Sequence, residues 1–147
     1  MRTHILIFDD DLEQMTPFKA FLEQKGFQVE ITADAGILQR LSRERFHLIL
    51  VDLMIHLQSP GPGQTLIQNV RYSGTNWMDT GAEFVKRLRA GEYAGASDGT
   101  PATVPVIVLS ATAPTNGVSE ANEVHEKPFD PNLLLQRIES LLWEHTP

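Results

Sequence analysis

Carboxylate, hydroxyl and ammonium side chains follow short apolar runs of this 147-residue chain. Three consecutive aspartates, Asp9 to Asp11, come directly after one run, and Asp52 comes directly after a second. Ser110 closes a third run, and Lys127 stands before a proline near the end of the sequence. Carboxylate oxygens are the preferred ligands of Mg²⁺, which takes only one or two carboxylates and keeps several waters. These residue types together are those needed for metal-assisted attack of an aspartate on phosphorus.

Each member of this set has a distinct role in such a reaction. Asp52 is the candidate nucleophile, which would form a covalent acyl phosphate, and Asp10 and Asp52 are the candidate direct ligands of Mg²⁺. Lys127 would neutralise one phosphoryl oxygen as a point charge, and Ser110 would donate a hydrogen bond to another. Singly these residues are weak signals, because aspartates after a strand often only cap the next helix, as Asp10 or Asp11 could do. Their joint order along the chain is what favours the reaction.

The hydrophobic pattern predicts the elements that position these residues. Short apolar or alternating runs, typical of buried strands, occupy residues 5–8, 27–31, 48–51 and 106–109. Apolar residues at helical spacing predict helices over 12–22, 37–41 and 131–143. Trp143, at the end of the last helix, is expected in the core or at its rim.

Strands that alternate with helices indicate a parallel α/β sheet whose crossovers are right-handed. Ligands bind to such sheets at the carboxyl ends of the strands. Asp9, Asp10, Asp52 and Ser110 all fall at these ends, so we expect the fold to bring their side chains to one edge of the sheet.

The pattern resembles the response-regulator receiver domain of two-component signalling. The resemblance covers most of the chain and is closest in residues 5–11, 48–53, 104–111 and 127–129. It implies a doubly wound, five-stranded parallel sheet in the flavodoxin-like order 2-1-3-4-5, with insertions after strand 3 and helix 3. It also implies that Asp9 binds Mg²⁺ through water and that the main-chain carbonyl of Met54 is a further metal ligand.

The same resemblance implies a phosphorylation-dependent switch rather than a conventional enzyme. A histidine kinase or phosphotransfer protein would supply the phosphoryl group to Asp52, and an unidentified downstream protein or a homodimer would carry the output. We expect one stand-alone receiver domain over residues 1–147, without an effector domain. The rival interpretation is a receiver-like interaction module that works independently of phosphorylation. A phosphohydrolase ranks last, because Met54 stands where such enzymes need a second aspartate.

The charge and composition of the chain bear on its possible partners and on its location in the cell. The chain has a net charge of −7 and no basic stripe, which argues against a nucleic-acid partner. No apolar run is long enough to span a bilayer, which argues against a membrane protein. The apolar run near the N-terminus is too short for a signal-peptide core, and cysteine is absent, so we expect a cytoplasmic protein.

The sequence departs from the family pattern on both sides of the candidate site. His56 stands where the family usually has proline, and the Met-Asp-Gly turn of the family is matched only by residues 78–81, far beyond Asp52. Val124 replaces the aromatic residue that usually precedes the lysine by three positions. The short segment between Ser110 and Lys127 predicts a short or missing helix, and its polar strand is suited to a sheet edge.

Two long connections complete the prediction, an insertion over 55–78 and a loop over 91–104. The first carries apolar residues that would form a lid or a partner surface, or else belong to a loosely packed loop: Leu66, Ile67, Val70, Tyr72 and Trp77. The sequence does not decide between these alternatives.

Overall fold

The computed structural model describes residues 2–56, 69–95, 97–111 and 118–145. The strands are β1 His4–Phe8, β2 Gln28–Thr32, β3 Leu48–Asp52, β4 Val106–Ser110 and β5 Glu123–Glu126. The helices are α1 Leu12–Gln24, α2 Ile37–Leu41, α3 Thr80–Arg89 and α4 Pro131–Glu144, and a 3₁₀ turn at Trp77–Asp79 precedes α3. Within the described ranges, no helix has the length and apolar character needed to cross a bilayer.

The five strands form one parallel sheet in the order β2-β1-β3-β4-β5, which confirms the predicted fold. Near their carboxyl ends Phe8 pairs with Val51, and Asp52 pairs with Leu109. Because all strands run in the same direction, the residues that follow β1, β3 and β4 lie at a common edge. This register is what gathers the candidate site residues.

Apolar layers cover both faces of the sheet. Alternate residues of β1 divide between them: Leu6 and Phe8 belong to the layer under α2 and α3, and Ile5 and Ile7 to the layer under α1 and α4. The central strands β1, β3 and β4 are almost entirely buried, as their continuous apolar sequences predict. The sheet is therefore a rigid base for the polar residues at its edge.

The edge position predicted for the polar strand β5 is confirmed, whereas residues 112–117, in the segment predicted to have a short or missing helix, lie outside the described residues. The part of the chain described between β4 and β5 contains no helix, and β5 is an edge strand with only partial burial. Val124, in β5, packs against the core with an aliphatic side chain.

The expectation for Trp143 was wrong, because its side chain is 83% exposed. Helix α4 turns Leu134, Ile138 and Leu141 inward and leaves Trp143 on another face.

The two long connections pack against each other. Val70 and Tyr72, on the returning half of the first connection, are buried in the core, so these two residues belong neither to a loose loop nor to an exposed patch, whereas Trp77 is 40% exposed. The Tyr72 hydroxyl lies 2.5 Å from the hydroxyl of Tyr93, which belongs to the second connection. Leu66 and Ile67 lie outside the described residues.

Arg89, at the end of α3, forms hydrogen bonds that stabilise the edge of the sheet opposite the candidate site. Its guanidinium donates to the carbonyl oxygens of Ala102 (2.7 Å), Val104 (2.6 Å) and Glu120 (2.9 Å), and to Oδ1 of Asn122 (2.9 Å). These acceptors belong to the segments that lead into β4 and β5. A guanidinium presents five donors in one plane, so a single side chain can satisfy all of them.

We expect Arg89→Ala to lower the free energy of unfolding by about 2–3 kcal/mol, since several partly buried acceptors lose a charged donor. Urea denaturation measures this. The control is Lys86→Ala, which removes an exposed side chain from the same helix and should change stability by less than about 0.5 kcal/mol. Equal losses in the two variants would contradict a fastening role for Arg89.

Candidate functional site

The three aspartates that follow β1 have two different roles. Asp11 caps helix α1, whereas Asp9 and Asp10 face β3. The Asp11 carboxylate caps α1 by accepting the N–H of Gln14 (3.1 Å). The Asp11 N–H in turn donates to Oδ1 of Asp9 (2.8 Å), and the Asp9 N–H donates to the carbonyl of Thr32 (3.2 Å). This tight turn leaves Asp9 and Asp10 facing β3, and only Asp11 serves as the helix cap.

Asp9, Asp10 and Asp52 meet at the carboxyl edge of the sheet. Each offers one carboxylate oxygen, and these oxygens lie within 4.8 Å of one another. Asp9 and Asp52 are buried, and Asp10 is partly buried. The side chains of Asp10 and Asp52 border a cleft of about 540 Å³, which leaves access from solvent. Hard oxygen donors in this number, beside an open cleft that can hold water, fit the ligand requirements of Mg²⁺.

Lys127 places an ammonium group beside this acidic cluster. Its Nζ lies 2.8 Å from Oδ2 of Asp9 and 3.8 Å from Oδ2 of Asp52, and the side chain is only 10% exposed. The Lys127 N–H donates to the carbonyl of Ser110 (2.7 Å), which anchors the lysine to the end of β4. One ammonium faces three carboxylates, so the cluster retains negative charge.

Burial and crowding raise the pKa values of two of these carboxyl groups. The pKa of Asp52 rises from 3.8 to about 7, first because burial disfavours the carboxylate and then because Asp9 is close by. Burial also raises the pKa of Asp9, against the opposing effect of the hydrogen bonds from Lys127 and the Asp11 N–H. The protein alone therefore compensates only part of the negative charge of the three carboxylates. A bound cation would compensate the remainder.

Ser110 and Met54 lie beside the cluster of Asp9, Asp10 and Asp52. Ser110 is completely buried at the end of β4, and its neighbour Ala111 lines the cleft. Met54 also lines the cleft, and its N–H donates to Oδ1 of Asp52 (3.3 Å). The roles of the Ser110 hydroxyl and the Met54 carbonyl remain predictions.

Gly81 brings the start of α3 against the end of β3. Its N–H donates to the carbonyl of Leu53 (2.9 Å). A Cβ at this position would lie 2.3 Å from the carbonyl oxygen of Asp52, so any other residue would push the helix away. This close approach places the start of α3 directly against the end of β3, despite the long connection before it.

His56 is the site neighbour that sequence reasoning missed. Its N–H donates to Oδ2 of Asp10 (2.9 Å), and its ring Nδ1 lies 3.1 Å from the same oxygen. The imidazole also stacks on the indole of Trp77, with 4.3 Å between ring centroids. The only available signal was that His56 replaces the family's proline, which has no N–H to donate.

Comparisons with known proteins agree with the fold. No family model matches the chain. Protein PetR of Rhodobacter capsulatus is 29% identical over 145 residues, which are 95% of this chain and 48% of PetR. The chain thus spans about half the length of this curated relative.

Solved receiver domains superpose over almost the whole chain. The receiver domain of Francisella response regulator 1452 has a TM-score of 0.69 at 20% identity, covering 99% of this chain and 100% of that one. The receiver domain of sensor histidine kinase PA1611 from Pseudomonas aeruginosa, described with a magnesium ion in its active site cleft, has a TM-score of 0.64 at 23% identity, covering 97% and 99%. The chain therefore has the receiver fold, as its motifs predicted.

The raised pKa of Asp52 gives a stability prediction with a definite sign. The folded protein holds this proton more tightly than the unfolded chain, so the group's effect on stability becomes unfavourable as the pH rises from about 4 to 7. In EDTA at pH 8, Asp52→Asn should therefore raise the free energy of unfolding by about 1–3 kcal/mol, and the gain should shrink towards pH 4.

Urea denaturation at several pH values measures this difference. The control is Asp98→Asn, which removes an exposed carboxylate from a loop and should have little effect at any pH. A gain in Asp52→Asn that did not depend on pH would contradict the assignment of the effect to charge.

Removal of the neighbouring ammonium should have the opposite effect. In EDTA at pH 8, Lys127→Ala should lower the free energy of unfolding by about 3 kcal/mol, because Asp9 would lose its partner while remaining buried. Added Mg²⁺ should recover part of this loss. Lys19→Ala removes a partly exposed lysine from a surface pair with Glu23 and should cost less than about 1 kcal/mol. Equal losses would show that Lys127 does not compensate buried charge.

Proposed function

We propose that this chain is the receiver of a two-component phosphorylation switch and that Asp52 accepts the phosphoryl group. The observation that carries the proposal is the meeting of Asp9, Asp10, Asp52 and Lys127 at one edge of a receiver-fold sheet. The donor would be the phosphohistidine of a histidine kinase or phosphotransfer protein. The output would pass to a downstream protein or through homodimerisation. We place this switch in the cytoplasm.

In the proposed reaction, an oxygen of Asp52 attacks phosphorus as the bond between phosphorus and the donor imidazole breaks. The imidazole takes up a proton from solvent, and Asp52 becomes an acyl phosphate. Lys127, 3.8 Å from Asp52, would then neutralise a phosphoryl oxygen, and the Ser110 hydroxyl would donate to another. The chain acts only on its own aspartate, so it is a switch rather than a conventional enzyme.

Mg²⁺ held by Asp10 and Asp52, by Asp9 through water and by the Met54 carbonyl would neutralise charge on the transferring phosphoryl oxygens. Without a cation, the pKa of Asp52 near 7 leaves the acceptor partly protonated at neutral pH, and a protonated carboxyl is a poor nucleophile. The crowding of the site therefore supports acceptance of phosphate that depends on metal.

A second candidate function is protein interaction that ignores phosphate. It is favoured by Val124, which has no aromatic ring to rotate, and by the lack of a helix between β4 and β5 within the described residues. The two candidates differ in whether phosphorylation controls the interaction, and only the switch requires that Asp52 accept a phosphoryl group.

Intact mass spectrometry after incubation with Mg²⁺ and acetyl phosphate tests the proposal. We expect one phosphoryl adduct on the native protein and none on Asp52→Asn. Asp11→Asn is the matched control from the same acidic run, because asparagine also caps helices and Asp11 lies outside the three-carboxylate cluster. Its adduct should persist. A native protein without an adduct, or an adduct retained in Asp52→Asn, would decide against the proposal.

A further inference from the structure

His56 lies between the acidic cluster and the connection that leads from β3 to α3. It comes four positions after Asp52 and borders the same cleft. Its N–H and its ring Nδ1 lie 2.9 Å and 3.1 Å from a single oxygen, Oδ2 of Asp10. In the tautomer that carries a proton on Nδ1, both groups donate to that oxygen. Asp10 is therefore held by one of its two oxygens.

The position of His56 is fixed from two further sides, although its side chain is 62% exposed. Its carbonyl accepts a hydrogen bond from the side-chain amide of Asn69 (2.7 Å). Asn69 is itself buried and forms an isolated antiparallel β-bridge with Asp34, two residues after β2. Its ring stacks on Trp77 at an interplanar angle of 29°. Backbone and ring are thus both held, which orients the imidazole towards Asp10.

Trp77 continues this line of contacts away from the acidic cluster. It begins the 3₁₀ turn before α3, and its carbonyl accepts the N–H of Ile55 (3.3 Å). The indole also borders a second cavity, of about 340 Å³, together with Ile55 and Val70. A displacement of the His56 ring would change the surroundings of the indole directly.

We propose that His56 is a positioning residue that orients the metal ligand Asp10 and couples metal binding to Trp77. With Oδ2 held by His56, the other oxygen of Asp10 is left to face the cation. Hydrogen bonds of this kind to a metal-ligating carboxylate commonly set metal affinity. The inference rests on the proposed function only in taking Mg²⁺ to bind at Asp10.

This coupling would transmit metal binding at Asp10 to the connection before α3 rather than to β5. Val124, at the position where the family has its ring, packs as an aliphatic side chain. Here a continuous set of contacts joins the acidic cluster to the ring of Trp77 through His56. A displacement of the Asp10 carboxylate would therefore alter the surroundings of Trp77 in the connection before α3.

Calorimetric titration with Mg²⁺ alone tests the positioning role. His56→Ala should raise the Kd for Mg²⁺ about tenfold. His56→Asn should stay close to the native value, because an asparagine amide can donate to Asp10 from a similar position. His145→Ala, which removes an exposed histidine at the end of α4, should leave the Kd unchanged. Rescue by asparagine separates hydrogen bonding from a general effect of substitution.

Tryptophan emission tests the coupling, since the chain has only two tryptophans. In Trp143→Phe, the remaining Trp77 emission should change as Mg²⁺ saturates the site. The change should be lost when His56→Ala is added, even at saturating Mg²⁺. The converse protein, Trp77→Phe, retains the exposed Trp143 and should show no response.

Two results would overturn the inference. One is a native Mg²⁺ affinity in His56→Ala, and the other is constant Trp77 emission while calorimetry records binding. Either result would leave the phosphoryl adduct on Asp52 intact, so the proposed function would stand. A native protein that neither binds Mg²⁺ nor forms the adduct would reject both the inference and the proposed function.

Discussion

Three carboxylate side chains, from Asp9, Asp10 and Asp52, are held within 4.8 Å of one another at the edge of an apolar sheet, and their mutual repulsion opposes folding at neutral pH. Lys127 compensates part of this charge, and burial of Asp52 raises its pKa to about 7. The core must supply the free energy that keeps the cluster together. A site under such repulsion is poised to respond to any added cation or to removal of a charge.

The remainder of the fold can be understood as support for that edge. Parallel pairing sets the residues after β1, β3 and β4 side by side, and apolar layers on both faces prevent the sheet from relaxing. Gly81 allows α3 to approach β3 more closely than any residue with a Cβ would permit. At the far end, Arg89 joins the segments that lead into β4 and β5.

The fold was predictable because its signals are local and repeated. Continuous apolar strands, helical spacing and aspartates at strand ends each point to the same sheet, and the pairing of Lys127 with the cluster follows once the strand order is known. The contacts of His56 were not predictable, because they depend on how a long connection returns past Asn69 and Trp77. Likewise, Trp143 has an apolar side chain that favours burial, but only the rotation of α4 decides which residues face inward.

Tyr72 and Tyr93 join the two long connections hydroxyl to hydroxyl, and the guanidinium of Arg87 lies 4.5 Å from the centre of the Tyr72 ring. Burial raises the pKa of both tyrosines, so each hydroxyl keeps its proton and the link persists across the physiological range. The described part of the first connection, from residue 69 onward, is therefore joined directly to the second connection. In evolution we expect them to be gained or lost as a pair, and a chimera that transplants one without the other would leave a buried phenol with no partner.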